Sequence, residues 1–295
     1  MNLHISGLLG ITAFAFATVH GDAQTLAQNA YITNDGSSSI SVIDTTTNAV
    51  IAKIPVGLTP VGVAVSPDGS TVYVTNENDN TVSVIATATN AVTATIAVGD
   101  PNGVNHPNGV AVTPDGSTVY VATLNDNTIW VIATATDKVI ATIPVGNSPF
   151  GVAVTPDSKT VYVANQNDNT VSAITTAIHK VTTTIPVGNY PRGVAVTPDG
   201  RTVYITNEND NTVSVIATAT RSVTATISGF VNPIAFGVFI QSAPRFAGTP
   251  GKANCHGESV SALARKYGGL NRAAAALGYT NVSALQNAIL TFCGG

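Results

Sequence analysis

Residues 60–99 read PVGVAVSPDGSTVYVTNENDNTVSVIATATNAVTATIAVG, which is four short β-rich runs separated by clusters of turn-forming residues. The same pattern returns along most of the chain. One tyrosine marks each copy, at spacings of 42, 47, 42 and 42 residues: Tyr31, Tyr73, Tyr120, Tyr162 and Tyr204. A period in the low forties with four strands per copy is typical of a β-propeller blade. The sequence therefore predicts an all-β propeller.

Alternation of apolar and polar residues predicts the four strands of the copy at 60–99, over 62–65, 71–75, 81–85 and 92–98. The turn Pro67-Asp68-Gly69 separates the first two strands. Proline presets φ there, aspartate caps the backbone beside it, and glycine supplies a positive φ. Each copy is therefore expected to fold as an antiparallel sheet of successive hairpins.

The phase of the repeats predicts how many blades there are and how the ring closes. The first copy begins at its second strand, near Tyr31, and the last copy ends on a lone first strand near Gly237. We expect five four-stranded blades, with the first blade assembled from residues 29–57 and 234–241. Such a composite blade hides the edge strands that an open array exposes. The alternative is an open array that needs a partner chain.

The recurring motifs resemble those of the YVTN-type β-propeller repeat family. The motif residues are Tyr-Val-Thr-Asn at 73–76, Tyr-Ile-Thr-Asn at 31–34 and 204–207, the Pro-Asp-Gly turns, and Ile-Pro-Val-Gly at 54–57, 143–146 and 185–188. The resemblance covers roughly residues 29–241, with departures at Thr123 and Ala164. It implies a surface-layer-like, extracytoplasmic binding or scaffolding propeller, and it implies no particular reaction.

The chain divides into four segments: a signal peptide at 1–23, the propeller at 24–241, a linker at 242–254 and a small helical domain at 255–295. The apolar run at 5–19 is too short to span a bilayer and is followed by small residues, as at a signal cleavage site. It has no Lys or Arg before it, so a buried first strand or a leader without structure is the alternative. The signal predicts a secreted, periplasmic or cell-surface protein.

Apolar residues at helical spacing predict three short helices in the C-terminal domain, the last capped by Asn281. Such a small bundle buries little apolar area and gains from a covalent link. Cys255 and Cys293 are the only two cysteines, and they flank the bundle. A disulfide between them is therefore expected in a secreted protein. A metal site that adds His256 is the alternative, although it lacks an obvious fourth ligand.

Charge excludes one class of partner. Only 9% of the residues are charged, and the formal net charge is −4. The acidic groups are concentrated before residue 245 and most of the C-terminal side chains with charge are basic. A nucleic-acid-binding surface would show clustered Lys and Arg on the propeller, which is absent from the sequence. We expect no nucleic-acid partner, and no apolar run is long enough to predict a transmembrane span.

The turns between the second and third strands are rich in Asn and Asp and are the main candidate site. Strand alternation places them on the same face as the loops that join successive blades. The candidate residues are Asp79, Asp126, Asp168 and Asp210, with Asn80, Asn127, Asn169 and Asn211. They could bind Ca²⁺ or hydrogen-bond sugar hydroxyls. The favoured interpretation is that they serve the turns, because Asn and Asp bond local backbone and tolerate left-handed φ.

Two features break the symmetry of the repeats. The loop after the second copy is five residues longer than its counterparts and contains His106, a candidate ligand-face residue or a solvated loop residue. Trp130 replaces the serine found at Ser83, Ser172 and Ser214. It is either a binding anchor or a side chain that fills space between blades.

The near-identity of the copies argues against catalysis, which needs unlike groups that converge. The sequence shows no nucleophilic triad, metal-ligand cluster or phosphate-binding glycine loop, so we expect no enzyme activity, no metal and no cofactor. The favoured interpretation is a secreted, non-catalytic propeller that binds an extracytoplasmic protein or glycan. The alternatives are a structural envelope component and a lactonase-like hydrolase that uses the loop at 100–106.

Overall fold

The computed structural model describes residues 29–99, 103–235, 259–260, 263–264, 269–276 and 279–293. Nineteen strands form five antiparallel sheets. The first sheet contains β1 (Asn29–Asn34), β2 (Ser39–Asp44) and β3 (Ala49–Pro55). The second contains β4 (Pro60–Val65), β5 (Thr71–Asn76), β6 (Thr81–Ala86) and β7 (Ala91–Ala97). The predicted strands of this copy are confirmed to within two residues.

The other three sheets repeat the second. The third sheet contains β8 (Pro107–Val112), β9 (Thr118–Thr123), β10 (Thr128–Ala133) and β11 (Lys138–Pro144). The fourth contains β12 (Pro149–Val154), β13 (Thr160–Asn165), β14 (Thr170–Thr175) and β15 (Lys180–Pro186). The fifth contains β16 (Pro191–Val196), β17 (Thr202–Asn207), β18 (Thr212–Ala217) and β19 (Ser222–Ser228). Successive strands pair in each sheet, so every sheet is a meander.

Turn chemistry explains where the first two strands of each four-stranded sheet meet. Gly69 has φ of 72°, and the Asp68 carboxylate accepts a hydrogen bond from the Ser70 amide at 3.0 Å. The Ser66 hydroxyl donates to the same carboxylate at 2.6 Å. These hydrogen bonds, the one from Ser66 first among them, lower the pKa of Asp68 to about 2. The predicted role of the Pro-Asp-Gly turn is confirmed.

These turns predict how stability depends on pH. A Ser or Thr hydroxyl two residues earlier is the main cause of a lowered pKa at Asp68, Asp115, Asp157 and Asp199. A carboxyl whose pKa is lower in the folded state stabilises the fold above its unfolded pKa of about 4, and this contribution is lost as the pH falls toward 2. The urea midpoint is expected to fall between pH 4 and pH 2, with a shallower fall in Asp68→Asn. Equal slopes in the two proteins would contradict this assignment.

Neighbouring sheets pack face to face through four similar apolar cores. In the core between the second and third sheets, Tyr73 and Ile96 pack with Val121 and the residues around it. The first and second, third and fourth, and fourth and fifth sheets pair in the same way. At about 25 cal/mol per Å² of buried apolar area, these cores dominate the stability of the array. This face-to-face packing of four-stranded meanders is the architecture of a propeller.

The first sheet lacks an innermost strand among the described residues, because β1 pairs only with β2. The Thr33 hydroxyl donates to the Val61 carbonyl, as that of Thr75 donates to Asn108 one sheet later. β1 is therefore in register with the second strands of the other sheets. The segment predicted to pair with it begins at Ile234, and its residues from 236 onward lie outside the described part of the chain.

The last described residues approach the position of a further inner strand. A Cβ built on Gly193 would lie 2.5 Å from the Ala235 carbonyl oxygen. Gly109 and Gly151 meet the inner strand of the following sheet in the same way, at the carbonyls of Phe150 and Arg192. The backbone of Ala235 therefore lies against β16 at the place where the inner strand of a following sheet would lie.

The two ends of the array carry apolar faces without the packing seen elsewhere. Ile227 is 42% exposed, whereas Ile54, Ile96, Ile143 and Ile185 at the same position are at most 7% exposed. On the first sheet, Ile32 is 49% exposed, whereas Val121 at that position is fully buried. The described residues therefore form five face-packed sheets, and the predicted closure of the ring is not shown by them.

The C-terminal segment contains two described helices, α1 (Leu270–Ala276) and α2 (Val282–Cys293), and residues 259–260 and 263–264 are also helical. Leu263, Leu285 and Ile289 are buried together. The Asn281 side chain accepts a hydrogen bond from the Ala284 amide at 2.8 Å, so the predicted cap is confirmed. Cys255, His256 and the side chain of Cys293 lie outside the described residues, and the disulfide stays a prediction.

Two further predictions concern segments outside the described residues, namely the signal peptide at 1–23 and the linker at 242–254. Within the described ranges, none of the helices is both long and apolar enough to cross a bilayer.

Candidate functional site

The candidate residues lie at one edge of the array, which we call the linker edge. It contains the turns between the second and third strands and the linkers that join successive sheets. The Asp79 carboxylate accepts a hydrogen bond from the linker amide of Leu58 at 2.6 Å. Asp168 and Asp210 accept equivalent bonds from Asn147 and Asn189, each at 2.7 Å. These aspartates hold the linker that enters their own sheet.

The asparagine after each aspartate holds the linker that leaves the sheet. The Oδ1 atoms of Asn127 and Asn169 accept hydrogen bonds from the amides of Ser148 at 2.9 Å and Tyr190 at 3.0 Å. Asn80 and Asn211 accept equivalent bonds from Asn105 and Asn232. All four asparagines have φ between 53° and 56°. The left-handed backbone expected of these turns is confirmed.

In the second, fourth and fifth sheets, the Asp-Asn pair is therefore a clasp that joins the sheet to both of its linkers. The sequence predicted that the turns and linkers share an edge, and the hydrogen bonds confirm it. The sequence also suggested that these side chains bond their own turns, whereas their partners are linkers 20 or more residues away. Hydrogen bonds to a charged acceptor are stronger than neutral ones, so the clasps have a clear structural role.

The third sheet uses its aspartate differently, because the linker before it is longer. The carboxylate of Asp126 accepts hydrogen bonds from the Thr123 hydroxyl and from the indole nitrogen of Trp130, the latter at 3.1 Å. Trp130 is partly buried and packs against the core between the second and third sheets. The prediction that it fills space between blades is confirmed. Its hydrogen bond to Asp126 was not predicted.

The longer linker places His106 beside an acidic residue. The His106 Nδ1 atom lies 3.0 Å from a carboxylate oxygen of Glu77, and the two side chains are about one quarter exposed. The Asn105 amide and the Gly103 carbonyl bond to the Asn80 side chain, which fixes this end of the linker. His106 is therefore a positioned residue with a carboxylate partner rather than a solvated loop side chain.

Sequence reasoning missed a cluster around Arg192, the second residue of β16. Its guanidinium lies 5.1 Å from the ring centroids of both Phe150 and Tyr190. A carboxylate oxygen of Glu208 lies 2.8 Å from its Nε atom. The only signal in the sequence was that Val61, Asn108 and Phe150 occupy this position in the other inner strands. The cluster combines a cation, two aromatic rings and a carboxylate at the linker edge.

The two edges of the array differ in charge. Within residues 29–99 and 103–235, the linker edge carries seven carboxylates and a single guanidinium, that of Arg192, while Lys53 lies within β3 between the two edges. The carboxylates belong to Asp35, Glu77, Asp79, Asp126, Asp168, Glu208 and Asp210. The opposite edge carries six carboxylates and five basic side chains. The linker edge is therefore the negative edge of the array.

At the opposite edge, the buried repeat tyrosine of the third sheet lies beside a histidine. The Tyr120 hydroxyl lies 3.5 Å from His179 Nδ1 in the fourth sheet. Burial raises the pKa of Tyr120 to about 12, and it also raises the pKa of Tyr73 and Tyr162. Their neutral hydroxyls are thus favoured by the folded state.

The tyrosines predict alkaline unfolding. A group with a raised pKa stabilises the fold fully below its unfolded pKa, which is about 10 for tyrosine. That contribution is lost as the pH rises toward the folded pKa. We expect the urea midpoint to fall between pH 10 and pH 12, with less fall in Tyr120→Phe. The part of the tyrosinate absorbance that is missing in Tyr120→Phe should rise together with unfolding; if that part rises first, the assignment is contradicted.

Metal-ligating side chains do not cluster in the parts of the chain that the structure describes: no three of its His, Cys, Asp and Glu residues lie close enough to hold one ion. The linker-edge carboxylates are spread over all five sheets.

Family comparisons agree with the fold. Residues 43–179 match a family model described as lactonase, 7-bladed beta-propeller. Residues 153–245 match a second model, described as YNCE-like beta-propeller. The two overlapping matches and the face-packed meanders define the class: the chain is a β-propeller protein.

Similar proteins cover parts of the chain. PE-PGRS family protein PE_PGRS18 of Mycobacterium tuberculosis is 50% identical over 57 residues, which is 19% of this chain and 12% of that protein. Kuenenia stuttgartiensis hydrazine synthase has a TM-score of 0.55 and 30% identity, over 58% of this chain and 49% of that one. The chain thus spans a minor part of the first and about half of the second.

Two further solved structures show the fold alone. A functionally unknown protein from Desulfotomaculum acetoxidans has a TM-score of 0.63 and 20% identity, over 70% of this chain and 68% of that one. Virginiamycin B lyase from Staphylococcus aureus has a TM-score of 0.59 and 17% identity, over 69% of this chain and 67% of that one.

Proposed function

We propose that this chain is a secreted, non-catalytic binding propeller whose linker edge docks a positively charged protein outside the cytoplasm. The observation that carries the proposal is the charge of that edge, seven carboxylates against one guanidinium. Complementary charge raises association rates and suppresses wrong partners. The clasps hold three of these carboxylates, those of Asp79, Asp168 and Asp210, in fixed positions.

The cluster around Arg192 supplies the anchor of the proposed surface. Tyr and Arg are enriched among the residues that dominate protein–protein affinity. Tyr190 and Arg192 are partly exposed, and Arg192 is held by Glu208 and two rings. A preorganised side chain loses little conformational entropy on binding. This favours a protein partner over a glycan and over a purely structural envelope role.

The test uses oligolysine as the probe and two matched variants. Asp79→Asn/Asp168→Asn/Asp210→Asn removes three charges from the linker edge but keeps an oxygen for each linker amide. Asp115→Asn/Asp157→Asn/Asp199→Asn removes three from the opposite edge. Exposed charge pairs contribute about 0.2–1 kcal/mol each, so the first variant is expected to bind about tenfold more weakly. The wild-type affinity should also fall with salt.

Equal losses of oligolysine affinity in the two variants, or an affinity that does not change with salt concentration, would overturn the proposal. Envelope and culture fractions passed over wild-type protein and the linker-edge variant then identify the partner. A partner that needs the carboxylates supports the proposal, whereas a neutral glycan retained by both proteins favours the glycan interpretation.

A lactonase-like activity is the second candidate, favoured by the match over residues 43–179. The paired His106 and Glu77 are the groups on the described chain best placed to act as a base, because Nδ1 lies 3.0 Å from the carboxylate. Lactone hydrolysis followed with a pH indicator tests this role. Turnover that is lost in His106→Ala would favour the enzyme, and no turnover would favour the binding protein.

The proposed surface is continuous if the array closes into a ring. We infer that residues 236–241 supply the missing inner strand of the first sheet. The inference is supported by the inner edge of β1, which is unpaired among the described residues, and by the course of Ala235 past Gly193. Closure would also cover Ile32 and Ile227. The residues at the equivalent positions of the other four interfaces are buried. A second copy that covers these faces is the alternative.

A further inference from the structure

Two equivalent cavities open between sheets. One lies between the first and second sheets, has a volume of about 460 Å³, and is lined by Gly57, Asp79, Ser83 and Thr95 among others. The other lies between the fourth and fifth sheets, has a volume of about 480 Å³, and is lined by the corresponding residues Gly188, Asp210, Ser214 and Thr226. Volumes of this size are typical of small-molecule sites.

The chain fills the corresponding place between the second and third sheets with an indole. Trp130 stands opposite Thr142, as Ser83 stands opposite Thr95 in the second sheet. Its indole nitrogen donates to Asp126, the residue that corresponds to Asp79 and Asp210. An aromatic ring at this position, held by this carboxylate, is therefore compatible with the fold.

An acceptor is available in both cavities. Asp79 and Asp210 use Oδ2 for the linker amides of Leu58 and Asn189. No described residue donates a hydrogen bond to their Oδ1 atoms. The fourth sheet differs, because Asn147 Nδ2 donates to Asp168 Oδ1 at 2.6 Å and occupies that acceptor.

A second position of the repeat, that of Asn76, also differs in the sheet that contains the tryptophan. In the second sheet the Asn76 amide donates to Thr81 and Ser83, and its buried Oδ1 lacks a partner in the described residues. In the third sheet Thr123 replaces this asparagine and donates to Asp126. The serine that the asparagine would bond has become Trp130. In the third sheet, Thr123 and Trp130 therefore replace the asparagine and the serine together.

We propose that the cavities at Asp79 and Asp210 are two equivalent indole-binding sites. A flat aromatic ring enters beside Ser83 or Ser214, and its N–H donates to the aspartate Oδ1, as Trp130 donates to Asp126. The ligand class is an indole, either as a free small molecule or as a tryptophan side chain of a partner. This proposal does not depend on the charge of the proposed partner.

The probe is 5-fluoroindole, observed by fluorine NMR with isothermal titration for stoichiometry. Two sites per chain are expected in wild type. The N-methylated indole keeps the ring but lacks the donor, and it should bind about tenfold more weakly because hydrogen bonds to charged groups are among the stronger ones. Equal affinity of the two probes would overturn the assigned role of the carboxylates.

Variants that copy the third sheet test where the probe binds. Asn76→Thr/Ser83→Trp fills the first cavity with the chain's own indole and should leave one site. Adding Asn207→Thr/Ser214→Trp should leave none. The reverse exchange, Thr123→Asn/Trp130→Ser, removes the resident indole and should create a third site. Circular dichroism and a urea midpoint establish that each variant is folded.

Stoichiometries of two, one, none and three support the proposal. Folded variants that still bind two probes, or wild type that binds none at the solubility limit of the probe, overturn it. An uncharged tryptophan-containing peptide and N-acetyltryptophan amide, compared at the same sites, distinguish a partner side chain from a small molecule. Because all these probes lack excess positive charge, failure here leaves the oligolysine result unaffected.

Discussion

Gly109→Ala is expected to lower the free energy of unfolding by about 3 kcal/mol, near the upper end of the cost of overpacking. A Cβ on Gly109 would lie far inside the contact distance of the Phe150 carbonyl oxygen, which is backbone and cannot rotate away. The alanine methyl would therefore force β8 and β12 apart. Gly151→Ala is expected to behave alike, because its Cβ would meet the Arg192 carbonyl.

The matched control is Gly36→Ala. A Cβ on Gly36 meets no atom within 4 Å, so this variant should lie within about 0.5 kcal/mol of wild type. Urea unfolding followed by circular dichroism measures both. If Gly109→Ala were as stable as Gly36→Ala, the close approach of successive inner strands would be wrong.

Ile227→Asp is expected to lower the free energy of unfolding by about 3 kcal/mol if the terminal faces are covered in solution. Ile227 occupies the position of Ile185, which is 2% exposed in its interface. A carboxylate buried in an apolar interface without a partner loses its hydration and replaces apolar contacts. The expected loss therefore measures whether something covers the face of the fifth sheet.

Two controls bracket this result. Ile185→Asp should be strongly destabilising whatever the state of the ends, because its interface is packed. Ile178→Asp should be nearly neutral, because Ile178 is 56% exposed in a turn. If Ile227→Asp matches Ile178→Asp, the terminal face is open in solution and the closure proposal fails.

Much of the fold was predictable because the same pattern of strands and turns recurs in several copies. Alternation fixed the strands of the copy at 60–99, and the Pro-Asp-Gly turn behaves as its chemistry requires. The left-handed φ of Asn80 and its counterparts followed from turn preferences alone. Local rules sufficed wherever one residue's conformation depends on its neighbours in sequence.

The side-chain contacts were harder to predict, because the repeat motif does not identify their partners. The hydrogen bond from the Leu58 amide to Asp79 joins residues 21 positions apart, and nothing in the motif identifies this linker amide as the partner. The indole of Trp130 turns toward Asp126 rather than only filling space. The cluster around Arg192 depends on side chains from two inner strands and a linker. Each of these follows from packing and not from pattern.

Closure of the ring is likewise a tertiary contact rather than a local pattern. Phase indicates that the first sheet needs a strand from the other end of the chain, but pairing across some 200 residues is a tertiary event. The exposed positions of Ile32 and Ile227 identify the two faces that must meet. A cross-link between them reports directly on the outcome.

The decisive measurement is therefore cross-linking of Ile32→Cys/Ile227→Cys by a short bismaleimide, with Cys255 and Cys293 replaced by alanine. The control pair is Val74→Cys/Ile54→Cys, at the same positions of a packed interface. Closure through residues 236–241 predicts a cross-linked monomer in yield equal to that of the control. A cross-link found only between chains, or none beside an efficient control, would contradict closure within one chain.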